Sequence, residues 1–414
     1  MIKTVPYILM LGCFDTKGEV FHYLRQRLID HGQRVVTINT GIMGSTALFP
    51  VDIDAELVAR EGGHEIQELR DKQDRGFAVA VMGKGVARIV EMLYNEGGLK
   101  GAIGMGGGGG TFMALSAMGV LPLGVPKICI STLAAKDLSH VIGSKDITLM
   151  PSVVDVAGLN SISRVMIRQA AAAVTAMSNE APADNQKYTG RVAISMFGNT
   201  TPCVDQCTSM LQEQGYEVFA FHANGQGGRT MEALIRENYF DGVLDITTTE
   251  LADELCGGIC SAGSSRMEGA GEMGLPQVVV PGCMDMINFG PIDTVPERYK
   301  DRHLYSWAPD VTLMRTNEEE NLQLGERLAA KVNRALGPSV VLFPLKGLSE
   351  LDSKGKEFYK PEINKVLFDT IKEKVVEPGK VSQVEAHIND PQFSKMAVSF
   401  FIAMMEKKVK PTIE

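Results

Sequence analysis

No run of about 20 apolar residues occurs anywhere in the 414-residue chain, so no membrane-spanning helix is expected. Long Lys/Arg runs are also missing, and the formal net charge is -9. A duplex-binding surface needs a basic patch, so nucleic acid is not expected as a partner. The first residues, MIKTVP, lead straight into an apolar stretch without a signal-peptide pattern,. The seven cysteines are odd in number and scattered, which points to reduced thiols and a cytoplasmic location. Cys203 and Cys207, like Cys256 and Cys260, are four residues apart on expected helices. Zinc sites usually use CxxC-type knuckles, so these read as buried thiols and no metal site is assigned. Neither a G-x-S-x-G elbow nor an H-E-x-x-H helix is found,.

Glycine, by contrast, is plentiful: there are 43. Five of them stand together in GMGGGGGT, residues 104–111. Each glycine gives up about 0.5–1 kcal/mol of chain entropy relative to alanine in ordered structure, so such a run needs a use. An apolar stretch precedes it and a helix-like segment follows. Strand, glycine loop and helix start, in that order, make a phosphate cradle of inward N–H groups and a positive helix end. A floppy surface loop would have polar flanks, and these are apolar. The Walker pattern fits Gly104, Gly109 and Thr111, but Gly110 stands where its lysine belongs,. The dinucleotide pattern fits Gly104, Gly106 and Gly109, but no Asp or Glu lies between Thr111 and Ala135 to bind a ribose,. The candidate cradle is therefore Gly106, Gly107, Gly108, Gly109, Gly110 and Thr111, with its cation supplied from elsewhere.

Residues 7–11 form a continuous apolar run, the mark of a buried parallel strand. A loop with Asp15, Thr16 and Lys17 follows, then a helix over 19–30 and a second strand over 34–39. Ligands of such sheets lie beyond the carboxyl ends of strands. Lys17 then becomes the missing cation, and Asp15 or Thr16 a contact to Mg²⁺ through water; the other reading of Asp15 or Thr16 is a helix cap. Amphipathic helices are expected over 56–73 and 76–93, with Arg75 between them as a further phosphate contact or a surface ion pair. Strands over 126–130 and 146–150 follow. The first of these runs into Ser131 and Thr132, whose hydroxyls are candidates for nucleotide contact. An alanine-rich helix is expected over 155–177. The polar, proline-containing stretch 178–189 is read as the boundary between a nucleotide-binding domain (1–180) and a second α/β domain (190–414).

The second half repeats the alternation of strand and helix, which again implies a mostly parallel sheet. It holds a weaker strand–glycine loop–helix around 217–229. Two such domains are expected to enclose a cleft. Into it would project Thr200, Thr201, His222, Arg229, Glu250, Ser264, Ser265, Arg266, Asp285 and Asn288, to bind a small polar ligand.

Several stretches resemble one family: Asp15-Thr16-Lys17, the glycine loop ending in Thr111, IST at 130–132, PSVVD at 151–155, MFG and TTPC at 196–203, DITTTE at 245–250 and MINFG at 286–290. They are similar to the ATP-binding family typified by the inhibitor domain of the tomato mosaic virus resistance protein. The similarity runs from near residue 7 to near residue 400. The resemblance implies two Rossmann-like α/β subdomains, ATP bound in the first, and a homodimer. The plant relative uses this region to block a viral replication protein and carries a further C-terminal domain; that viral role does not transfer. Where the plant relative interrupts the glycine run with serine, this chain has Gly108, which removes a hydroxyl contact but no backbone one.

The expectation is a cytoplasmic ATP-binding α/β protein, with Mg²⁺, whose phosphates sit on the glycine loop with Lys17 and which couples ATP to an unidentified small-molecule reaction. Two alternatives stand beside it. One is a non-catalytic, ATP-regulated protein-binding module. The other is an enzyme whose glycine loop holds a phosphorylated metabolite. No obvious base is paired with an obvious nucleophile, so no catalytic residue is assigned.

Overall fold

Every residue of β1, Tyr7–Gly12, is buried, because helices cover both faces of the sheet that it centres. Leu9 and Leu11 point into one apolar cluster with Val86 and Met113; Ile8 and Met10 point into another with Phe21 and Val174. Alternation puts successive side chains on opposite faces, so a strand covered on both sides reads as one unbroken apolar run. Each fully buried Leu or Ile contributes about 1.5–3 kcal/mol.

The computed structural model describes residues 5–180 and 187–409. The chain divides into two compact units, Met1–Asp184 and Asn185–Glu414. The stretch 178–189 has its middle, 181–186, outside the described residues.

In the first unit β1 is joined by β2 (Val35–Asn39), β3 (Leu99–Gly106), β4 (Lys127–Ser131) and β5 (Thr148–Pro151). The order is β2-β1-β3-β4-β5 and every pairing is parallel. The first helix starts earlier than expected, at Phe14, and runs to Asp30. Asp15, Thr16 and Lys17 therefore lie in its first turn and not in a free loop. The helix expected over 56–73 is two, Ala55–Glu61 and Ile66–Lys72, parted at Gly62 and Gly63. Gly63 has φ +98°, a conformation that glycine adopts without strain. The alanine-rich helix is Ser161–Asn179. Asn160 caps it by accepting from the N–H groups of Ile162 and Ser163, which sets its start later than the apolar pattern does.

The second unit holds β6 (Gly190–Met196), β7 (Tyr216–His222), β8 (Gly242–Thr247), β9 (Gln277–Gly282), β10 (Met286–Phe289), β11 (Leu304–Ala308), β12 (Val311–Arg315), β13 (Ser339–Pro344) and β14 (Val381–Val384). Six of these form a parallel sheet in the order β14-β13-β9-β8-β6-β7. The other three form a small antiparallel sheet, β10-β12-β11. Local alternation does not announce this second sheet, because β10 pairs with β12 across more than 20 residues of intervening chain.

Candidate functional site

In a sheet ordered 2-1-3-4-5 the connections leave β1 and β3 in opposite directions, and the crevice outside their carboxyl ends is where ligands bind. The glycine loop stands at that point. It leaves β3 at Gly106 and opens the helix Gly108–Gly119, with Gly107 at the N-cap position and no side chain capping it. The first helical hydrogen bond runs from the Thr111 N–H to the Gly107 carbonyl at 2.8 Å. The N–H groups of Gly108, Gly109 and Gly110 precede it and are the open donors of a helix start. A β-carbon on Gly106 would lie 2.7 Å from the Gly110 Cα, so the turn itself excludes a side chain. One on Gly108 would meet nothing within 4 Å. The outer face of the loop is open.

Thr111 and Ser131, expected among the ligand contacts, are both buried at 1% exposure. The Thr111 hydroxyl lies 3.2 Å from the Gly106 carbonyl and 2.7 Å from the Ser131 hydroxyl, and Ser131 Oγ accepts the Leu133 N–H at 2.9 Å. The pair fastens the loop to the end of β4 from beneath. Thr132 is exposed, and its N–H donates to the Gly106 carbonyl at 3.2 Å.

Asp15 is half-buried. Its carboxylate accepts the N–H of Thr16 at 2.7 Å and that of Met43 at 3.0 Å. A β-carbon on Gly41 would lie 2.1 Å from Asp15 Oδ1, so Asp15 and a bare Gly41 together hold the loop after β2. The helix cap position belongs to Cys13, which makes no side-chain cap bond, so neither Asp15 nor Thr16 is the cap. Lys17 departs from helical geometry (φ -130°).

Asp15 and Thr16 border a recess of about 510 Å³, within the size range of small-molecule pockets. Arg75 reaches it as the first residue of the helix Arg75–Glu96, which Asp74 caps by accepting the Phe77 N–H at 3.0 Å. Val79, Met82 and Met113 make its inner wall apolar. Lys17 is not among its lining residues. Arg70, which the sequence did not single out, lines it too and donates to the Ile42 carbonyl at 2.5 Å. The recess adjoins the glycine loop: a β-carbon on Gly109 would lie 3.1 Å from the side chain of Val79. Burial pushes the Cys13 thiol up, while the Thr40 hydroxyl and the charges of Lys17 and Arg75 oppose that shift.

The second unit has its own glycine loop before the helix Gln226–Arg236, and its donors are already taken. Glu250 Oε1 accepts the N–H of Gly225 at 2.7 Å and that of Gly228 at 3.2 Å. Arg266, fully buried, donates to Glu250 at 2.5 Å and to both oxygens of Asp245 at 2.5 and 2.6 Å. Burial alone would lower the Arg266 pKa, but Asp245, Glu250 and Glu232 outweigh it and raise the value. Burial also raises the Glu232 carboxyl, against the pull of Arg266. A carboxylate of the protein thus fills the place that a phosphate takes at such a helix start.

This changes the reading of the polar set expected to line a cleft. Thr200, Glu250, Arg266, Asp285 and Asn288 are buried, whereas His222, Arg229, Ser264 and Ser265 are exposed and Thr201 is half-buried. The buried members bond mainly to other buried side chains, Thr200 to Thr247 and Glu250 to Arg266, but among the described residues Asp285 Oδ1 and Asn288 Oδ1 are buried without a hydrogen-bond partner. Ser349 donates to Asp285 at 2.7 Å, and the Asp285 carboxyl is pushed up to about 7 by burial, with Asp352 adding to the shift and Arg315 opposing it. Asn288 donates to Asp253 at 3.1 Å, and burial raises that carboxyl to about 7 as well.

Two Rossmann-like α/β units, the first with an open glycine-loop helix start at its switch point and the second with that position filled from within, define the class. The chain belongs to the UPF0261 family: its model for the N-terminal domain ("Uncharacterised protein family (UPF0261) N-terminal domain") matches residues 6–183, and that for the C-terminal domain matches 189–405. A UPF0261 protein of Clostridium tetani is 45% identical over 97% of this chain and 99% of its own length. The ToMV resistance protein Tm-1(GCR237) of Solanum lycopersicum is 40% identical over 80% of this chain, which covers 45% of the tomato protein. A UDP-N-acetylglucosamine 2-epimerase from Rickettsia bellii aligns over 99% of both chains with a TM-score of 0.22 and 8% identity, a likeness too low to carry an argument. Among the described residues, no helix is long and apolar enough to cross a membrane.

Proposed function

We propose that the first unit binds ATP, with the phosphates on the N–H groups of Gly108, Gly109 and Gly110 and the adenine end toward the recess walled by Val79, Met82 and Met113. The observation that carries this reading is the uncapped glycine helix start at the switch point of the parallel sheet, joined to a recess of about 510 Å³ with apolar walls. Such a helix start favours an anion, and apolar walls with a few polar groups suit a base. ATP in particular is what the family resemblance implies. Arg75, exposed at the rim, and Lys17 are the cations of this reading. Each oxygen of Asp15 already accepts one backbone N–H and keeps a further lone pair, which suits contact with the water shell of a nucleotide-bound Mg²⁺. In this reading the chain is cytoplasmic and dimeric. The second unit, whose glycine loop is occupied by Glu250, takes no nucleotide at that loop.

Calorimetric titration with ATP, with and without Mg²⁺, tests the proposal on the wild type and on Gly108→Val, Arg75→Ala and Lys17→Ala. The expected result is wild-type binding that is lost in Gly108→Val and weakened about tenfold in Arg75→Ala and Lys17→Ala, the effect of one charge-assisted contact. A wild-type protein purified free of nucleotide that binds no ATP sinks it. Displacement of ATP by simple sugar phosphates would turn the reading toward a phosphorylated metabolite on the same loop.

A further inference from the structure

A second recess flanks the glycine loop on the side away from the apolar one. It lies between the loops that follow β4 and β5 and measures about 460 Å³. Its walls include Ser131, Thr132, Ala135, Ser152, Val153 and Asp155. The two features touch: a β-carbon on Gly107 would lie 3.8 Å from the Thr132 hydroxyl. In the sheet order β3 lies between β1 and β4, so its glycine loop separates the two recesses.

The wall on the β5 side is held in a costly shape. Val153 has φ +66°, a left-handed conformation that is an outlier for a β-branched residue. Its neighbours impose it. The Ser152 N–H donates to the Ser131 carbonyl at 3.1 Å, the Ser152 hydroxyl donates to the Val154 carbonyl at 2.6 Å, and the Val154 N–H donates to the Ser152 carbonyl at 2.7 Å. The result is an apolar side chain 69% exposed at the rim, with Asp155 just beyond it. Asp155 uses Oδ1 to accept the Val156 N–H at 2.7 Å and carries the only charge among the lining residues, none of which is Lys or Arg.

We propose that this recess is a binding site for a second small molecule, neutral or cationic and bearing hydroxyl or amino groups, which sits beside the phosphates of the nucleotide. Asp155 accepts hydrogen bonds from its hydroxyl or ammonium groups, the Thr132 hydroxyl meets the end nearest the glycine loop, and Val153 covers its carbon face. An anionic ligand is disfavoured because the carboxylate of Asp155 has no cation beside it in the wall. The volume suits a molecule of sugar size. The inference rests on the nucleotide reading only for what lies next to the recess, and not for the recess itself.

Three sets of probes are compared by thermal shift and titration, each with and without ATP: neutral polyols (glycerol, myo-inositol), cationic amino alcohols (ethanolamine, tris(hydroxymethyl)aminomethane) and hydroxy acids (glycerate, gluconate). Members of the first two sets are expected to stabilise the wild type. That response should fall about tenfold or more in affinity in Asp155→Asn and vanish in Ala135→Phe, which fills the recess with carbon, while ATP affinity stays unchanged in Asp155→Asn. Stabilisation by the hydroxy acids alone overturns the proposal. So does a response that survives in both variants, or no response from the neutral and cationic sets. Failure of the nucleotide reading looks different: ATP does not bind, whatever the second set of probes does.

Discussion

Glu250 and Gly228 fit each other as anion and cradle: Glu250 accepts the Gly228 N–H at 3.2 Å, and a β-carbon on Gly228 would lie 2.2 Å from the other carboxylate oxygen. The two halves of the chain therefore use the same strand–glycine loop–helix device differently. In the second unit the anion is a side chain of the protein, locked by a buried arginine. In the first no side chain caps the helix start. This contrast is why the proposed nucleotide site lies in one unit and not in both.

Gly228→Ala should destabilise the second unit by about 3 kcal/mol or more, because the new methyl overlaps a buried carboxylate that cannot leave Arg266. Glu250→Ala should cost about 3–5 kcal/mol, the usual result of breaking a buried ion pair by removing one partner. Urea unfolding followed by circular dichroism measures both. A change below about 1 kcal/mol in either variant would mean that the network is not anchored as described.

Gly106→Ala and Gly108→Val are both single additions to one glycine run, yet they should separate stability from binding. The first places carbon 2.7 Å from the Gly110 Cα and should lower the melting temperature. The second meets nothing within 4 Å and should leave melting nearly unchanged while abolishing ATP binding. Equal loss of stability in the two variants contradicts this geometry.

Ser131→Ala removes the acceptor of the Leu133 N–H and one of two partners of the Thr111 hydroxyl, which keeps the Gly106 carbonyl. The expected cost is about 1–3 kcal/mol. Amide hydrogen exchange gives the decisive signature: faster exchange should concentrate at the glycine loop and the start of residues 131–135. Exchange that rises evenly over the whole first unit would argue against a local fastening role.

Asp285 should make the second unit less stable as the pH rises. Its folded-state carboxyl is raised to about 7 by burial, above its ordinary value of 3.8. Well below pH 4 both states hold the proton. Between there and pH 7 the unfolded chain ionises while the folded one does not, so stability falls across that window and levels off above it. Asp253, raised in the same direction, adds to the slope. Asp285→Asn keeps an oxygen for the Ser349 hydroxyl and should flatten part of the fall in melting temperature between pH 5 and pH 8. Identical slopes in wild type and variant would remove Asp285 as the cause.

Much of the architecture is legible in local pattern. The unbroken apolar runs around Leu9, Ile128 and Val279 mark strands buried on both faces, since only such strands lack a polar side. The glycine run at residues 106–110 marks a loop that nothing with a side chain can replace at Gly106. Asp15 and Arg75 were also visible, as charges beside the ends of expected elements, although their separation by 60 residues hid that both border one recess.

What the sequence determined by itself was therefore the strands of the two parallel sheets, the central ones buried on both faces, and the two glycine loops that could present bare backbone; the antiparallel sheet of β10, β11 and β12 was not among them. Tertiary structure alone decided which polar residues are spent inside. Thr111 meets Ser131 only because β3 and β4 pair in register, and Glu250 meets Gly225 and Gly228 only because β8 lies beside β6 and β7 follows on its far side. A polar residue at a strand end looks the same in sequence whether its partner is a ligand or a backbone N–H many residues away. The order of the sheet supplies that partner, and no local period encodes it.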